Sequence, residues 1–304
     1  MLIAKNIKIK RILIGTWKNG VMVILVCTLS FLFNEYVFRD HMDLPYVIPT
    51  ILGTALAFFI GFNNSQAYDR WWEARKIWGA LVNDSRSWAR QINSYLILPE
   101  GRAKEDLFEK KKAAILRHIS FLYALKANLR DEKDNDLNKY ILQQDLDKIE
   151  GHSNIHNALL NIQSDDLAAL RKDDWIDGFS FIELNKMLIR FSDEMGKSER
   201  IKGTIFPPTY NYYTLVFIWI LMISTTFVTT NMVGAWSILY GALIGYIFLT
   251  THAIGQALLD PFRSIPTGIS LDQITRTIEI NLLETLGGSE IPEPIKSVDN
   301  EYIM

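Results

Sequence analysis

The chain has one cysteine among 304 residues, Cys27. No intrachain disulfide can form, and no thiolate-held metal cluster is expected. The Gly-rich phosphate loop and the HExxH, CxxC and GxSxG patterns are missing as well, so nothing recommends nucleotide or metal-assisted hydrolysis and the chain does not read as an enzyme. Charge is absent over a long stretch. The 49 residues 203–251 contain no Asp, Glu, Lys, Arg or His, whereas one membrane crossing needs only about 20 apolar residues. The stretch reads as a transmembrane hairpin, with its turn placed at Thr229-Thr230-Asn231-Met232-Val233-Gly234.

Two further apolar runs are present. Residues 21–38 carry one charge, Glu35, and residues 46–68 carry none. A large soluble core is the alternative for a chain that is 49% hydrophobic, but core helices rarely run this long without a charged wet face. Four spans are therefore expected. Lys and Arg accumulate beside them on one side: Lys5, Lys8, Lys10, Arg11 and Lys18 before the first, Arg70, Arg75 and Lys76 after the second, Arg200 and Lys202 before the third. The opposite loops hold Arg39 alone. By the positive-inside rule both termini are cytoplasmic, in a multi-pass protein of the inner membrane. The first ~19 residues lack the cleavage site of a signal peptide. The expected division is a cytoplasmic N-terminal segment 1–20, spans one and two in 21–68, a cytoplasmic helical insertion 69–202, spans three and four in 203–259, and a cytoplasmic segment and tail 260–304.

Nearly all ionisable residues lie in that insertion and the tail, and the net charge of −2 decides little. Leu107, Ala114, Ile115, His118, Ile119, Leu122 and Leu125 recur at helical spacing within 104–129, and 157–170 and 179–195 repeat the pattern. Residues 131–150 predict a charged helix or helix-loop. The fold class is all-α. His118 and His252 lie on apolar faces and read as hydrogen-bonded structural residues. Asp165-Asp166 and Asp173-Asp174 read as helix starts and solvated faces.

The second span is the most distinctive. It contains Pro49, Gly53 and Gly61 and ends in the polar run Asn63-Asn64-Ser65-Gln66 before the first charge at Asp69. On a helix Thr54, Phe58 and Phe62 share one face, with Gly61 and Ser65 flanking it. Several copies around an axis would stack these side chains as rings and gate by dewetting. Ordinary close helix packing at the glycines is the competing reading.

The run GFNNSQAYDRWWEARKIWG at 61–79 resembles the bestrophin family, in its bacterial branch. Residues 115–125 (ILRHISFLYAL), Asp260-Pro261-Phe262 and 276–284 (RTIEINLLE) extend the resemblance over about 13–286. It implies a homopentamer around a central pore, four transmembrane helices per subunit and a helical cytoplasmic domain. The pore neck falls on Thr54, Phe58 and Phe62, flanked by Gly61, Asn63, Asn64 and Ser65. Asp69, Arg70, Trp71, Trp72, Glu73 and Arg75 form the structural motif after it, with Trp71-Trp72 as membrane-surface anchors and the charged residues in buried or subunit-bridging ion pairs. The implied partners are a second to fifth copy of the chain, the lipid bilayer and permeating monovalent ions, with no cofactor, no metal and no nucleic acid.

The chain departs from the family at two places. Thr54 replaces the usual aliphatic residue of the outer neck ring. Arg263-Ser264-Ile265-Pro266-Thr267 stands where calcium-gated relatives carry an acidic run, so no calcium clasp is expected. The resemblance implies passive conduction of anions such as chloride. A sodium-selective channel of the same fold and a non-conducting membrane scaffold remain alternatives. A secondary transporter would show inverted repeats and charges at the bilayer midplane, and neither is found.

Overall fold

A computed structural model describes residues 9–38, 45–132, 137–288, 290–298 and 302–303, without the side chains of 9–14, 38, 137 and 138. Lys5, Lys8, Arg39, part of the charged 131–150 segment and the side chains of Lys10 and Arg11 lie outside the described residues. Ten α-helices are seen among them: α1 Ile9–Phe33, continued by a π-helical turn Asn34–Phe38, then α2 Val47–Tyr95, α3 Lys104–Arg130, α4 Leu137–Tyr140, α5 Gln143–Ile149, α6 Ile155–Lys172, α7 Gly178–Gly203, α8 Pro208–Val233, α9 Trp236–Leu258 and α10 Leu271–Thr285. The described residues contain no β-strand, and one isolated bridge joins Val298 and Tyr302. Four helical segments are long and apolar enough to cross a membrane: Gly15–Val37, Val47–Tyr95, Pro208–Val233 and Trp236–Leu258.

The chain divides into two compact units, one within Ala4–Trp71 and Ile205–Asp260, the other within Trp72–Thr204 and Pro261–Met304, and α2 contributes to both. The first unit is the apolar one. Its core joins Val23 and Cys27 of α1, Leu56 and Ile60 of α2, Ile218, Leu221 and Met222 of α8, and Ala242 and Leu249 of α9. In lipid the hydrophobic effect does not distinguish a helix neighbour from an acyl chain, so close approach must hold the helices together. Glycines on α9 permit that approach. A Cβ on Gly241 would lie 2.1 Å from Thr226 Oγ1, and one on Gly245 would lie 2.4 Å from Met222 Sδ.

The α8–α9 turn is tighter than the sequence predicts. Thr229 and Thr230 remain helical, and their hydroxyls are satisfied in that apolar setting by donating to the carbonyls of Thr225 (2.8 Å) and Thr226 (2.7 Å). The reversal is confined to Gly234 and Ala235; Gly234, at φ 58°, donates its N–H to the Thr230 carbonyl at 2.8 Å. Only glycine takes that conformation without strain.

In the second unit α3 is the central element. Residues 117–126 are buried without a break, where the sequence suggests a one-sided amphipathic helix. Its polar residues are accepted inside because each has a partner. Arg117 bonds Asp145 (Nε to Oδ2, 2.8 Å) and Asp166; Lys126 and Arg130 hold Asp272 at 3.1 and 2.6 Å. Burial alone would raise the Asp272 carboxyl, but these two cations hold it below the usual carboxylate range. Glu279, fully buried, accepts from Tyr123 (2.6 Å) and from Tyr140. Asp166 is a half-exposed partner of Arg117 in mid-helix rather than a helix start: α6 begins at Ile155 behind its cap Asn154, and Asp173 ends it.

Candidate conduction face

Alternation of burial along α2 separates two faces. Leu56, Ile60, Asn63, Ala67 and Ala74 are buried, at the four- and three-residue spacing of a packed helix seam. The opposite row, Thr54, Phe58, Gly61, Phe62, Ser65, Gln66 and Asp69, is exposed in the single chain. Phe58 is 83% and Phe62 62% exposed. Two large rings four residues apart thus project from α2, left mostly open by the described residues of their own chain. Thr54 continues the row, and its hydroxyl donates to the Thr50 carbonyl at 2.9 Å, so the side chain spends its polarity inside the helix. A Cβ built on Gly61 would meet no atom within 4 Å apart from its chain neighbours and its own helix backbone.

This row differs from the exposed face of α1. There Val21, Met22, Ile24, Leu25 and Leu29 make an unbroken aliphatic surface suited to lipid tails. On α2 the aromatic pair runs on into hydroxyl, amide and carboxylate within two turns. A face that goes from apolar to polar along one helix suits contact with water along its length better than contact with lipid.

The two asparagines beside the aromatic row turn the other way. Asn63 is fully buried, with neither side-chain polar atom hydrogen-bonded, and Asn64 donates to the Thr251 carbonyl of α9 at 2.9 Å. A Cβ on Gly255 would come within 1.9 Å of Asn64 Oδ1, so α9 admits this side chain only because Gly255 has none. Nearby on α9, His252 bonds Asn211 of α8 at 2.7 Å. Nothing local signals this α8–α9 pair, because its residues are 41 positions apart. It agrees with the reading of His252 as a structural, hydrogen-bonded histidine.

The motif after the polar run is partly exposed. Tyr68 and Trp71 stack with ring centres 6.0 Å apart, and Trp72 is 46% exposed. Glu73 pairs with Arg200 at 3.0 Å, but the two side chains are 46% and 64% exposed. The expectation was a buried or subunit-bridging pair; within the single chain this is a surface pair, and such pairs contribute about 0–1 kcal/mol. Asp69 is exposed, and Arg75 Nη1 lies 3.4 Å from where a Gly79 Cβ would stand. Among the described residues no group of three or more His, Cys, Asp or Glu side chains is placed to hold a metal ion.

His118 of α3 is the other histidine singled out by the sequence. Ser85 donates its only hydroxyl proton to the Leu81 carbonyl at 2.6 Å, so its oxygen accepts from His118 Nε2 at 2.9 Å. Complete burial pushes the imidazole down to about 3 and keeps it neutral. Glu194 of α7 was not anticipated. It is 6% exposed, and burial first, then the adjacent Asp84 carboxylate, push its pKa up to about 8.

A four-span, all-helical chain with an uncovered aromatic row on its second span is the class of protein these observations define. The profile described as Bacterial/Fungal Bestrophin protein matches residues 6–284. The chain belongs to that bestrophin family. Among curated relatives it is similar to the voltage-dependent anion channel-forming protein YneE of Escherichia coli strain K12, at 29% identity over 88% of each chain. It is also 30% identical to YneE of Salmonella typhi, over 80% of this chain and 77% of that one, and 28% identical to the voltage-dependent anion channel-forming protein mll4386 of Mesorhizobium japonicum, over 83% and 78%. Its fold matches the crystal structure of a bestrophin homologue from Klebsiella pneumoniae with a TM-score of 0.81 at 22% identity, over 89% of this chain and 98% of that one.

Proposed function

We propose that this chain is the subunit of a homopentameric channel of the inner membrane that passes monovalent anions such as chloride passively. The observation that carries the proposal is the exposed row Thr54, Phe58 and Phe62 on a helix whose other face is packed inside its own bundle. Five such rows around an axis form a hydrophobic neck, which closes by expelling water and opens by modest widening. Thr54, its hydroxyl turned to Thr50, serves as a nearly apolar outer ring. Gly61 and Ser65 flank the neck on the same side, while Asn63 is buried within the subunit and Asn64 fastens α2 to α9. Both termini, the 69–202 insertion and the 260–304 segment are cytoplasmic, and Trp71 and Trp72 lie at the cytoplasmic membrane surface. The names of the curated relatives support anion rather than cation passage.

Planar-bilayer recording of purified protein in a tenfold NaCl gradient tests the reading. Step currents are expected, with a reversal potential of the chloride sign approaching about 59 mV. A reversal of sodium sign assigns the cation-selective version, and a silent bilayer with well-folded protein leaves the scaffold. Particle images with fivefold symmetry test the pentamer.

A further inference from the structure

Thr54, Phe58 and Phe62 carry no charge, and an apolar ring hinders chloride and sodium alike. Discrimination by sign therefore needs fixed charge elsewhere on the ion path. α2 is one unbroken helix from Val47 to Tyr95, and its buried seam continues past Ala74 through Trp78, Leu81, Ser85, Trp88 and Ile92. The opposite row continues with it. Lys76 follows Phe58 by 18 residues, five turns at 3.6 residues each. It stands on the same bearing, about 27 Å further along the helix, and Asn83 and Arg90 follow within about 40° of it. All three are exposed.

Charge is sorted between this row and its flank. Glu73 and Asp84 lie about 60–80° round the helix from Lys76, on the side of α7, where Arg200 and Arg190 bond them at 3.0 and 3.2 Å. Those carboxylates are thereby neutralised. Lys76 and Arg90 have no ion pair among the described residues; the Arg90 guanidinium donates to the neutral Ser87 hydroxyl at 3.1 Å. The two bridges set α7 antiparallel beside α2, so Lys197, three residues before Arg200, comes level with Lys76, three residues after Glu73. Lys197 is exposed and also without an ion pair.

Exposed acids are fewer. Asp69 lies about two turns before Lys76 on the α2 row, and Asp193 about one turn before Lys197. Lys186 is matched by Glu183 at 2.7 Å, and Glu194 keeps its proton up to about pH 8. Arg86, on the other flank of α2, bonds only the neutral Asn281 amide, at 2.8 Å. Four cations, Lys76, Arg86, Arg90 and Lys197, thus stand against two carboxylates. Such a surplus acts on ions through water, without contact, over a Debye length of about 10 Å at 0.1 M salt and about 3 Å at 1 M.

Resting on the channel reading above, we propose that Lys76 and Arg90, with Lys197 beside Lys76, set the sign of the permeating ion by concentrating chloride and repelling sodium on the cytoplasmic side of the neck. Five copies multiply the surplus around one water path. The aromatic rings then decide whether ions pass, and the cationic row decides which.

Reversal potentials of the full-length protein in a planar bilayer, in NaCl gradients centred near 0.1 M and near 1 M, test the assignment in a Cys27→Ser background. Lys76→Glu and Arg90→Glu each lower the chloride-to-sodium permeability ratio at least about threefold near 0.1 M and much less near 1 M. Lys172→Glu, at an exposed position at the end of α6, changes neither. Lys76→Cys lowers the ratio as well; an ammonium-bearing thiol reagent restores it and a sulfonate-bearing one lowers it further, which separates charge from folding within one protein. Ratios equal to the parent's in Lys76→Glu and Arg90→Glu, an equal shift in Lys172→Glu, or the same response of Lys76→Cys to both reagents would overturn the proposal and leave the anion channel standing. A parent reversal of sodium sign would overturn both.

Discussion

Replacing Glu194 by Gln should make the protein's stability less sensitive to alkali. Glu194 keeps its proton in the folded chain up to about pH 8, because burial and the neighbouring Asp84 both oppose ionisation; Lys197 and Arg190 offset this only in part. Arg190 is already engaged by Asp84 at 3.2 Å, and Glu194 Oε2 has no hydrogen-bond partner. In the unfolded chain the same carboxyl ionises near 4.5. The folded value is the higher one, so this contribution to stability is fully present below pH 4.5 and is lost as pH rises through 8. At 1.36 kcal/mol per tenfold, the whole interval corresponds to a loss on the order of 5 kcal/mol. Gln copies the protonated acid and cannot ionise. Parent and Glu194→Gln should therefore unfold alike at pH 5, and at pH 9 the variant should be the more stable by several kcal/mol. For a chain of this size that means roughly 10 °C in Tm. Thermal unfolding in detergent across pH 5 to 9 reads the difference, and two curves that stay parallel over that range would refute the reasoning.

His118 gives the opposite limb: its folded pKa, about 3, lies below the ordinary 6.5, so its contribution is present above pH 6.5 and lost as pH falls toward 3. His118→Phe should flatten the acid side of the stability profile, measured in the same unfolding experiment. Gly241→Ala should cost roughly 1–3 kcal/mol by overpacking against Thr226, whereas Gly61→Ala, in open space, should leave the unfolding midpoint unchanged or slightly raised. Arg117→Met strands Asp145, which is 1% exposed, and should cost about 3–5 kcal/mol; Arg200→Ala removes a surface pair and should cost under about 1 kcal/mol, as chemical denaturation would show.

The spans were legible because charge is excluded from lipid, and that exclusion is written locally in 46–68 and 203–251. The length of α2 was not. The span was expected to end near Tyr68, where charge begins, but no proline or paired glycine interrupts the chain before Tyr95, and the helix runs on well beyond Asp69-Arg70-Trp71-Trp72. The outward row Thr54-Phe58-Phe62 follows from helical periodicity, while the inward turn of Asn63 and Asn64 depends on Gly255, far along the chain. The full burial of α3 was hidden for a similar reason. Arg117, Lys126 and Arg130 look like surface residues until Asp145, Asp166 and Asp272, 28 to 146 positions away, are brought against them. The abnormal acidity of Glu194 likewise depends on Asp84, which only the folded chain sets beside it.

Cysteine accessibility under current tests the conduction face most directly. In a Cys27→Ser background, Phe58→Cys and Leu56→Cys are recorded in a bilayer while a charged, water-soluble thiol reagent is applied. Phe58 is 83% and Leu56 2% exposed, so the current through Phe58→Cys should change irreversibly and that through Leu56→Cys should not. A Phe58→Cys current indifferent to the reagent, with the label shown to have reacted in open protein, would place that ring away from the ion path and contradict the account.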